Sequence, residues 1–235
     1  VQVLYKEGGS MGDMYVTDLK RDANGFYFLS DEGELSMETE SDKTYGKYVG
    51  NQNAKWQMGW SNTFTWKDLT LSFLINGRIG GKVLSMTESY LDGYGLSQRT
   101  ADARLYAEKN KIYADPCYGN NILGIALDDG SGRVVPIDAY YNSVGGVTPQ
   151  DIERYLYSGT NFRLRELSLG YTFRNLFGQN KNLSLSFIAR NLFFIYKDAP
   201  VDPDVSLSTG TGLGAFEVFN MPSSRSFGFS LNVNF

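Results

Sequence analysis

The sequence predicts an all-β fold, namely about five strands of a large antiparallel transmembrane β-barrel with long extracellular loops. Its 16 Tyr, 15 Phe and 26 Gly residues are typical of β proteins. Its clearest patterns are alternations of apolar and polar side chains, which a strand sends to opposite faces. One such segment, at 56–66, is about twice as long as the roughly 5–6 residues of an average strand in a soluble protein.

The alternation is complete in SFGFSLNVNF at 226–235, where the odd positions are all apolar and the even positions are all small or polar. A soluble sheet that packs one face on a core would show the same pattern. A strand of an outer-membrane barrel shows it too, with lipid on the apolar face and the lumen on the polar face. The segment ends on the aromatic Phe235 without a polar tail, and we interpret this as favouring the barrel.

Composition excludes several classes of function. With 22 basic and 26 acidic residues, a net charge of −4 and no basic stripe, we expect no nucleic-acid partner. The chain has no histidine and one cysteine, Cys117, which excludes His-based metal sites, His-dependent triads and disulfides within the chain. No apolar run approaches the length of a membrane-spanning helix. We therefore expect no catalytic residues, no metal and no cofactor.

Residues 1–55 are predicted to form an extracellular loop region with a small hairpin. Turn signals at 8–13 and 21–25 are each followed by a short strand-like segment, MYVTDL and FYFLS respectively. The acidic, non-periodic segment DEGELSMETESDK at 31–43 is predicted to be a solvated loop.

Residues 56–80 are predicted to form a transmembrane β-hairpin. In WQMGWSNTFTW, at 56–66, all three tryptophans of the chain lie on one face. Ten steps of about 3.3 Å at a tilt near 40° span about 25 Å, which is the height of the apolar band of such barrels. Trp56 and Trp66 would then lie at the two membrane interfaces. Lys67 and Asp68 form a two-residue connection to the alternating segment LTLSFLINGRIGG.

Residues 81–157 are predicted to be a long extracellular loop with no comparable strand. SMTESYLDGYG and TADARLYAEKN could each form a short helix, whereas YYNSVGG and TPQDIERYLY are loop and cap signals. DDGSG at 128–132 is interpreted as a plain turn rather than a cation site. Aromatic residues in the loop could stack on a ligand, or they could simply pack the loop. The ligand-binding candidates are Tyr90, Tyr94, Tyr140 and Tyr141.

Residues 158–235 are predicted to form three further strands, with an extracellular loop at 197–224. In the first of them, Phe162 and Leu164 have the opposite parity from Leu167 and Leu169. A β-bulge would explain this change of parity, and so would a strand end that stands above the membrane, where Arg163 and Arg165 meet water or headgroups. The second strand is LSLSFIARNLFFIY, at 183–196, and the third is the final alternating segment.

The apolar faces of these strands are predicted to contact lipid. The lipid-facing residues are Trp56, Trp60, Trp66, Leu71, Phe73, Leu167, Leu169, Leu185, Phe187, Phe227, Phe229, Leu231 and Val233. Five strands cannot close a barrel, so we expect further strands upstream of this sequence.

Several long segments also carry a family resemblance. They are VGNQNAKWQMGWSNTFTWKDLTLSFLINGRIGGKVLSMTESYLDGYG, YLYSGTNFRLRELSLGYTF, ARNLFFIYKDAPVDPD and FNMPSSRSFGFSLNVNF, together with GGSMGDMYVTDLKRDANG near the start. In this order they closely resemble the C-terminal part of SusC/RagA-type TonB-dependent outer-membrane transporters.

The resemblance implies a location in the outer membrane of a Gram-negative bacterium and a role in importing oligosaccharides or peptides. It implies a barrel of about 22 strands, in which these are the last five. The partners it implies are a SusD-like surface lipoprotein, the TonB complex acting through a plug domain that this sequence lacks, the remaining N-terminal part of the barrel and outer-membrane lipid. It also implies that Phe235 is the aromatic signal recognised by the barrel-assembly machinery.

Two other classes of protein remain as alternatives. A soluble β-sandwich module that binds carbohydrate would bury the apolar faces against each other and would dissolve without detergent. A hydrolase with paired carboxylates would have to use Glu166, or Asp202 with Asp204, but no spacing fixes two carboxylates across a cleft. The sequence therefore predicts a transport component and not an enzyme.

Overall fold

The computed structural model describes residues 1–17, 19–20, 46–114, 122–127, 132–175, 181–207 and 212–234. Within them, residues in strands outnumber residues in helices, and nearly all strand pairings are antiparallel. The predicted all-β class is therefore confirmed. Several features named above lie outside the described residues. They are Phe235, Cys117, the FYFLS segment, the acidic segment at 31–43 and most of DDGSG.

The elements are numbered here in chain order. They are β1 (Gln2–Val3), β2 (Asp13–Val16), β3 (Lys47–Asn51), β4 (Trp56–Trp66), β5 (Leu69–Ile79), β6 (Lys82–Ser85), α1 (Met86–Gly93), α2 (Gln98–Asn110), β7 (Gly124–Ala126), β8 (Val134–Pro136), α3 (Ile137–Val144), a 3₁₀ helix (Ile152–Tyr155), β9 (Leu156–Ser158), β10 (Asn161–Phe173), β11 (Asn182–Lys197), β12 (Phe216–Glu217) and β13 (Ser226–Asn234).

The chain divides into two compact units. The first, called the loop unit here, comprises residues 1–52, 84–157 and 206–219. The second, called the sheet unit, comprises residues 53–83, 158–205 and 220–235. Within the described residues no helix is both long enough and apolar enough to cross a membrane.

The sheet unit is built on one five-stranded antiparallel sheet with the order β4–β5–β10–β11–β13. Each strand of this sheet pairs with the strand of the same sheet that follows it in chain order, which confirms the five predicted strands. The two-residue connection between β4 and β5 is also confirmed, because Trp66 pairs with Leu69 and Lys67 adopts a left-handed φ of 53°. Over the part of the chain that the structure describes, the sheet is open, with β4 and β13 as its edges.

The predicted bulge lies in β10. Against β5, Leu164 pairs with Ile75 but Glu166 pairs with Leu74, so Arg165 is an extra residue. The neighbouring strand β11 is irregular at the same level, where Asn191 has a left-handed φ of 51°. Because the extra residue reverses the alternation, Phe162 and Leu164 lie on the same face of the sheet as Leu167.

A buried ion pair fixes the loop that follows β11. Arg163, on the polar side of β10, lies 2.6 Å from the carboxylate of Asp202, and their side chains are only 3% and 7% exposed. The Arg163 guanidinium also stacks 3.9 Å from the ring centroid of Phe194 and lies 3.7 Å from Asp204. Ser223 donates hydrogen bonds to Asp202 from its backbone N–H and its hydroxyl. This arginine cluster thus ties two segments of the loop to a strand.

The arginine cluster makes the loop sensitive to acid. Burial alone would raise the pKa of Asp202, but hydrogen bonds from Ser223, Arg163 and the backbone of Asp204, with the charge of Arg163, lower it below the ordinary 3.8. A lowered folded-state pKa stabilises the fold above the unfolded-state value, and this contribution is lost as the pH falls through the folded-state pKa. We expect the urea concentration at the unfolding midpoint to decrease as the pH is lowered below about 4. In Asp202→Asn this midpoint should depend less on pH. An equally steep acid profile in the variant would contradict the assignment to Asp202.

The loop unit contains all three described α-helices and two apolar clusters. One cluster centres on Leu84, Val144 and Tyr155, and the other on Ile137 and Tyr141. Ser85 and Ser97 cap α1 and α2 by accepting hydrogen bonds from backbone N–H groups in their first turns. The two helices suggested by the sequence are therefore present.

One prediction in the loop unit is wrong. YYNSVGG was predicted as a loop, but residues up to Val144 belong to helix α3. Ile137, Tyr141 and Val144 follow helical spacing and are all buried. Tertiary packing of these residues stabilises the helix, although the polar and glycine-rich segment carries no clear helical signal. The glycines Gly145 and Gly146 end the helix instead.

The strands of the loop unit are short. β2 pairs antiparallel with β1 on one side and with β3 on the other. β7 pairs with β8, and a small sheet has the order β12–β6–β9. Glu217 of β12 pairs in parallel with Ser85 of β6, and its buried carboxylate accepts hydrogen bonds from Ser85 and Thr87. β2 thus pairs with both β1 and β3. The strand β3 was not predicted from the sequence.

Close backbone packing holds α1 against the end of α3. Gly146 donates its N–H to the carbonyl of Ser89, and a Cβ on Gly93 would lie 2.5 Å from the N and Cα atoms of Gly146. We expect Gly93→Ala to destabilise the loop unit by about 1–3 kcal/mol, the usual cost of overpacking. Faster tryptic cleavage within α2 would report it. Gly228→Ala, where a Cβ meets nothing within 4 Å, is the control, and equal cleavage rates in the two variants would contradict the packing argument.

Candidate functional site

The strand register aligns the apolar residues of the sheet in rows. Leu71 pairs with Leu169, Leu169 with Phe187, and Phe187 with Phe229. The next rows on either side run through Phe73 and Leu69. The middle row is Phe64, Leu71, Leu169, Phe187 and Phe229, one residue from each strand. Apart from Asn62 in β4, which pairs with Phe73, this face of the sheet is therefore apolar from edge to edge.

This apolar face is exposed. The side chain of Phe229 is 79% exposed, and those of Trp56 and Trp66 are each 70% exposed. Its aromatic residues contact each other across strands, with ring centroids 5.3 Å apart for Trp60 and Phe73 and also for Phe187 and Phe229. The register places all thirteen residues that were predicted to face lipid on this one face.

The opposite face of the sheet consists mainly of small and polar side chains. Gly170 lies between Thr70 and Ser186, and Ser186 pairs with Ser230. Thr172 and Ser184 are joined by a hydrogen bond of 3.1 Å between their hydroxyls. Such a face is suited to water and not to an apolar core.

A cavity of about 710 Å³ lies within the loop unit, among α1, α2 and α3. Its lining combines carboxylates, an arginine, hydroxyl and amide groups, and an apolar wall. The lining residues are Asp92, Gly93, Tyr94, Gly95, Thr100, Arg104, Ile122, Leu123, Ile137, Asp138, Tyr141 and Asn142. A volume of this size is within the range of about 300–1,000 Å³ for small-molecule sites.

The electrostatics of the cavity centre on Asp92, which is 1% exposed. Its Oδ2 atom accepts hydrogen bonds from Arg99 at 2.6 Å and from the Tyr155 hydroxyl at 3.0 Å. Burial, followed by the charge of Asp92, raises the pKa values of Tyr155 and Tyr141, so both remain neutral phenols. The Oδ1 atom of Asp92 has no hydrogen-bond partner among the described residues.

A second carboxylate of α1, that of Glu88, joins this helix to β9. Glu88 accepts a hydrogen bond from the hydroxyl of Tyr157. Burial, then this bond and the charge of Glu88, raise the pKa of Tyr157 to about 12. The tyrosine therefore stays a hydrogen-bond donor at all physiological pH values.

The structure brings two of the four tyrosine candidates to the cavity, namely Tyr94 and Tyr141. Tyr90 stacks on Tyr94 and contacts Phe219, at 6.4 Å and 5.5 Å between ring centroids. Tyr140 packs edge-on against Tyr141 and accepts a hydrogen bond from Arg154. The other cavity groups, above all Asp92, were not singled out, because their positions in the sequence form no recognisable motif.

The carboxylates considered for a hydrolase are held in ion pairs. Glu166 lies 3.0 Å from Arg190 on the neighbouring strand. Asp202 and Asp204 both face Arg163. A carboxylate that is neutralised in this way is poorly placed to act as a general acid or base.

The fold and the sheet define an all-β protein whose central antiparallel sheet has one apolar and one polar face. A scan against models of protein families finds no match, and neither does a search of curated proteins. Among solved structures, the chain is similar to chains of the RagAB peptide transporter and of the RagAB peptide importer in the open-open state. Each has a TM-score of 0.55 and 16% sequence identity.

These matches cover 93% and 95% of this chain. The chain spans only 22% of the length of each solved chain. At this level of identity, the likeness shows a shared fold.

Proposed function

We propose that this chain forms part of the barrel wall and outer loops of an outer-membrane importer for oligosaccharides or peptides. The observation that carries the proposal is the exposed apolar face, which continues across five antiparallel strands. A soluble monomer rarely exposes an apolar patch of more than a few hundred Å². Lipid is the environment that matches an apolar face about 25 Å high with aromatic residues at both ends.

The comparisons support the proposal at the level of the fold, because the similar chains belong to structures described as a peptide transporter and a peptide importer. In this proposal residues 56–80 are a transmembrane hairpin and residues 158–235 are the last three strands, with an extracellular loop at 197–224. Residues 1–55 and 81–157 are extracellular. Phe235 is the signal for assembly.

The proposed mechanism is binding and gating rather than bond breaking. A SusD-like lipoprotein covers the extracellular mouth, and the TonB complex supplies energy through a plug domain. The remaining strands of the barrel pair with the open edges, β4 and β13, whose outer backbone groups need partners in a membrane.

A soluble β-sandwich module that binds carbohydrate is the second candidate. It would cover the apolar face with another apolar sheet. Within the described residues, the side chains on this face are exposed instead, including Trp56, Trp66 and Phe229. This observation favours the membrane.

Two measurements test the proposal in the cell. The first is whether the chain sediments with outer membranes and needs detergent for extraction. The second is growth of a deletion strain on single oligosaccharides or peptides as carbon source, compared with a complemented strain. We expect membrane association and the loss of growth on at least one such nutrient.

Extraction in buffer without detergent would overturn the membrane location and leave the sandwich module. Membrane association with unchanged growth on every oligosaccharide and peptide would overturn the import function. Co-purification of a surface lipoprotein with the detergent-extracted chain would support the proposed partner.

A further inference from the structure

The cavity of the loop unit has the features of a binding site. Its apolar wall comes from Ile122, Leu123 and Ile137, and the ring of Tyr94 is 66% exposed beside it. Such a combination of an apolar wall with a few polar groups is typical of small-molecule sites. An exposed aromatic ring offers an apolar surface with a polar tip.

The buried carboxylate of Asp92 is incompletely satisfied. Arg99 and Tyr155 both bind Oδ2, whereas Oδ1 is buried and has no partner among the described residues. A buried polar atom without a partner costs about 1–3 kcal/mol. Because this oxygen is fully buried, the polar side chains that a ligand in the cavity can reach are the exposed ones, namely Arg104, Asp138 and Asn142.

The balance of charge indicates which kind of donor fits. Asp92 is neutralised by its ion pair with Arg99. Of the other charged groups that line the cavity, Asp138 is negative and Arg104 is positive. With the charges balanced, a ligand cation would meet no net negative charge, whereas hydroxyl groups can donate to the carboxylate of Asp138 and accept from the guanidinium of Arg104.

We propose that this cavity binds a neutral, polyhydroxylated ligand, namely a saccharide, with hydroxyl groups directed to Asp138 and Arg104 and a ring face against Tyr94. The site lies in the loop unit alone. This inference goes beyond the proposed function, because it holds whether the saccharide is cargo or an effector.

The test is binding to the detergent-extracted protein, measured by titration calorimetry. The detergent is lauryldimethylamine oxide, because the head groups of maltoside detergents would compete for the site. The probes are maltotriose, cellobiose and N-acetylglucosamine, with triglycine and trilysine as representatives of peptides. We expect at least one saccharide to bind and neither peptide to bind.

Variants locate the site. Asp138→Ala removes one exposed acceptor and should weaken saccharide binding about tenfold, the loss of roughly one hydrogen bond. Asn142→Trp, at an exposed position, should fill the cavity and abolish binding. Lys109→Ala, an exposed position of α2 that does not line the cavity, should leave the dissociation constant unchanged.

Three outcomes would overturn the inference. They are no binding of any saccharide, binding that survives both Asp138→Ala and Asn142→Trp, and peptide binding that these variants remove. None of these outcomes bears on import, because uptake is measured separately in cells. Conversely, saccharide binding that depends on the cavity would stand even if the deletion strain grew normally.

Discussion

Replacement of Arg163 by alanine should destabilise the sheet unit by about 3–5 kcal/mol, because it leaves a buried carboxylate without its partner. Arg163 and Asp202 are both almost fully buried and lie 2.6 Å apart. The variant also loses the stacking on Phe194.

The expected readouts are a lower midpoint of urea unfolding in detergent and rapid proteolysis between residues 197 and 207. Arg190→Ala is the matched control, since Arg190 also pairs with a carboxylate, that of Glu166, but its side chain is 60% exposed. An exposed pair contributes less than about 1 kcal/mol, so this variant should behave like the wild type. Equal destabilisation by the two variants would contradict the assigned role of burial.

A triple variant without the charged groups provides a second test of the arginine cluster. Combining Arg163→Met with Asp202→Asn and Asp204→Asn removes all the charges at once. This triple variant should recover much of the stability lost in Arg163→Ala, because no buried charge remains unpaired.

Phe229→Lys should prevent stable assembly of the chain in the outer membrane. Phe229 lies in the middle apolar row, which crosses all five strands. A lysine on the lipid face costs about 2–4 kcal/mol near the midplane of the bilayer. The measurement is the amount of heat-modifiable protein in the outer-membrane fraction.

The control is Ser230→Lys, one residue further along β13 and on the polar face. It should assemble normally, because a lysine there meets water. Phe229→Leu should also assemble, since it keeps an apolar side chain at the same position. If both lysine variants assemble equally well, the apolar face does not contact lipid.

The sheet was predictable from the sequence because a strand has a period of two, which fixes the face of every side chain. Even the bulge at Arg165 could be inferred, since Phe162 and Leu167 have opposite parity yet similar chemistry. The tight turn at Lys67 followed from the shortness of the connection between two alternating segments.

The loop unit was much less predictable. Helix α3 begins at Ile137, after a proline and without a side-chain cap, so no start signal marks it. The strand β3 is short and has exposed residues at its start, which leaves little pattern to detect. Short elements of this kind are stabilised by tertiary packing rather than by their own sequence.

The cavity could not be predicted for a related reason. Asp92, Arg104 and Asp138 come from three different helices, and only packing brings them together. Likewise, Arg163 meets Asp202 across 39 residues of chain. The tyrosine candidates could be predicted from their residue type alone. The unsatisfied oxygen of Asp92, in contrast, depends on packing and is visible only in the folded structure.

The bulge at Arg165 determines which one-residue insertions and deletions β10 can tolerate. Deletion of this single codon would place Glu166 directly after Leu164 and leave both residues on their present faces. Deletion of Ser168, in contrast, would bring Leu169 directly after Leu167 and move the residues on one side of it to the opposite face, because the faces of a strand alternate with each residue. A one-residue deletion in a loop would only shorten the connection between two elements. We therefore expect insertions and deletions among descendants of this sequence to be concentrated outside the five long strands, or to occur in β10 together with a compensating change near Asn191.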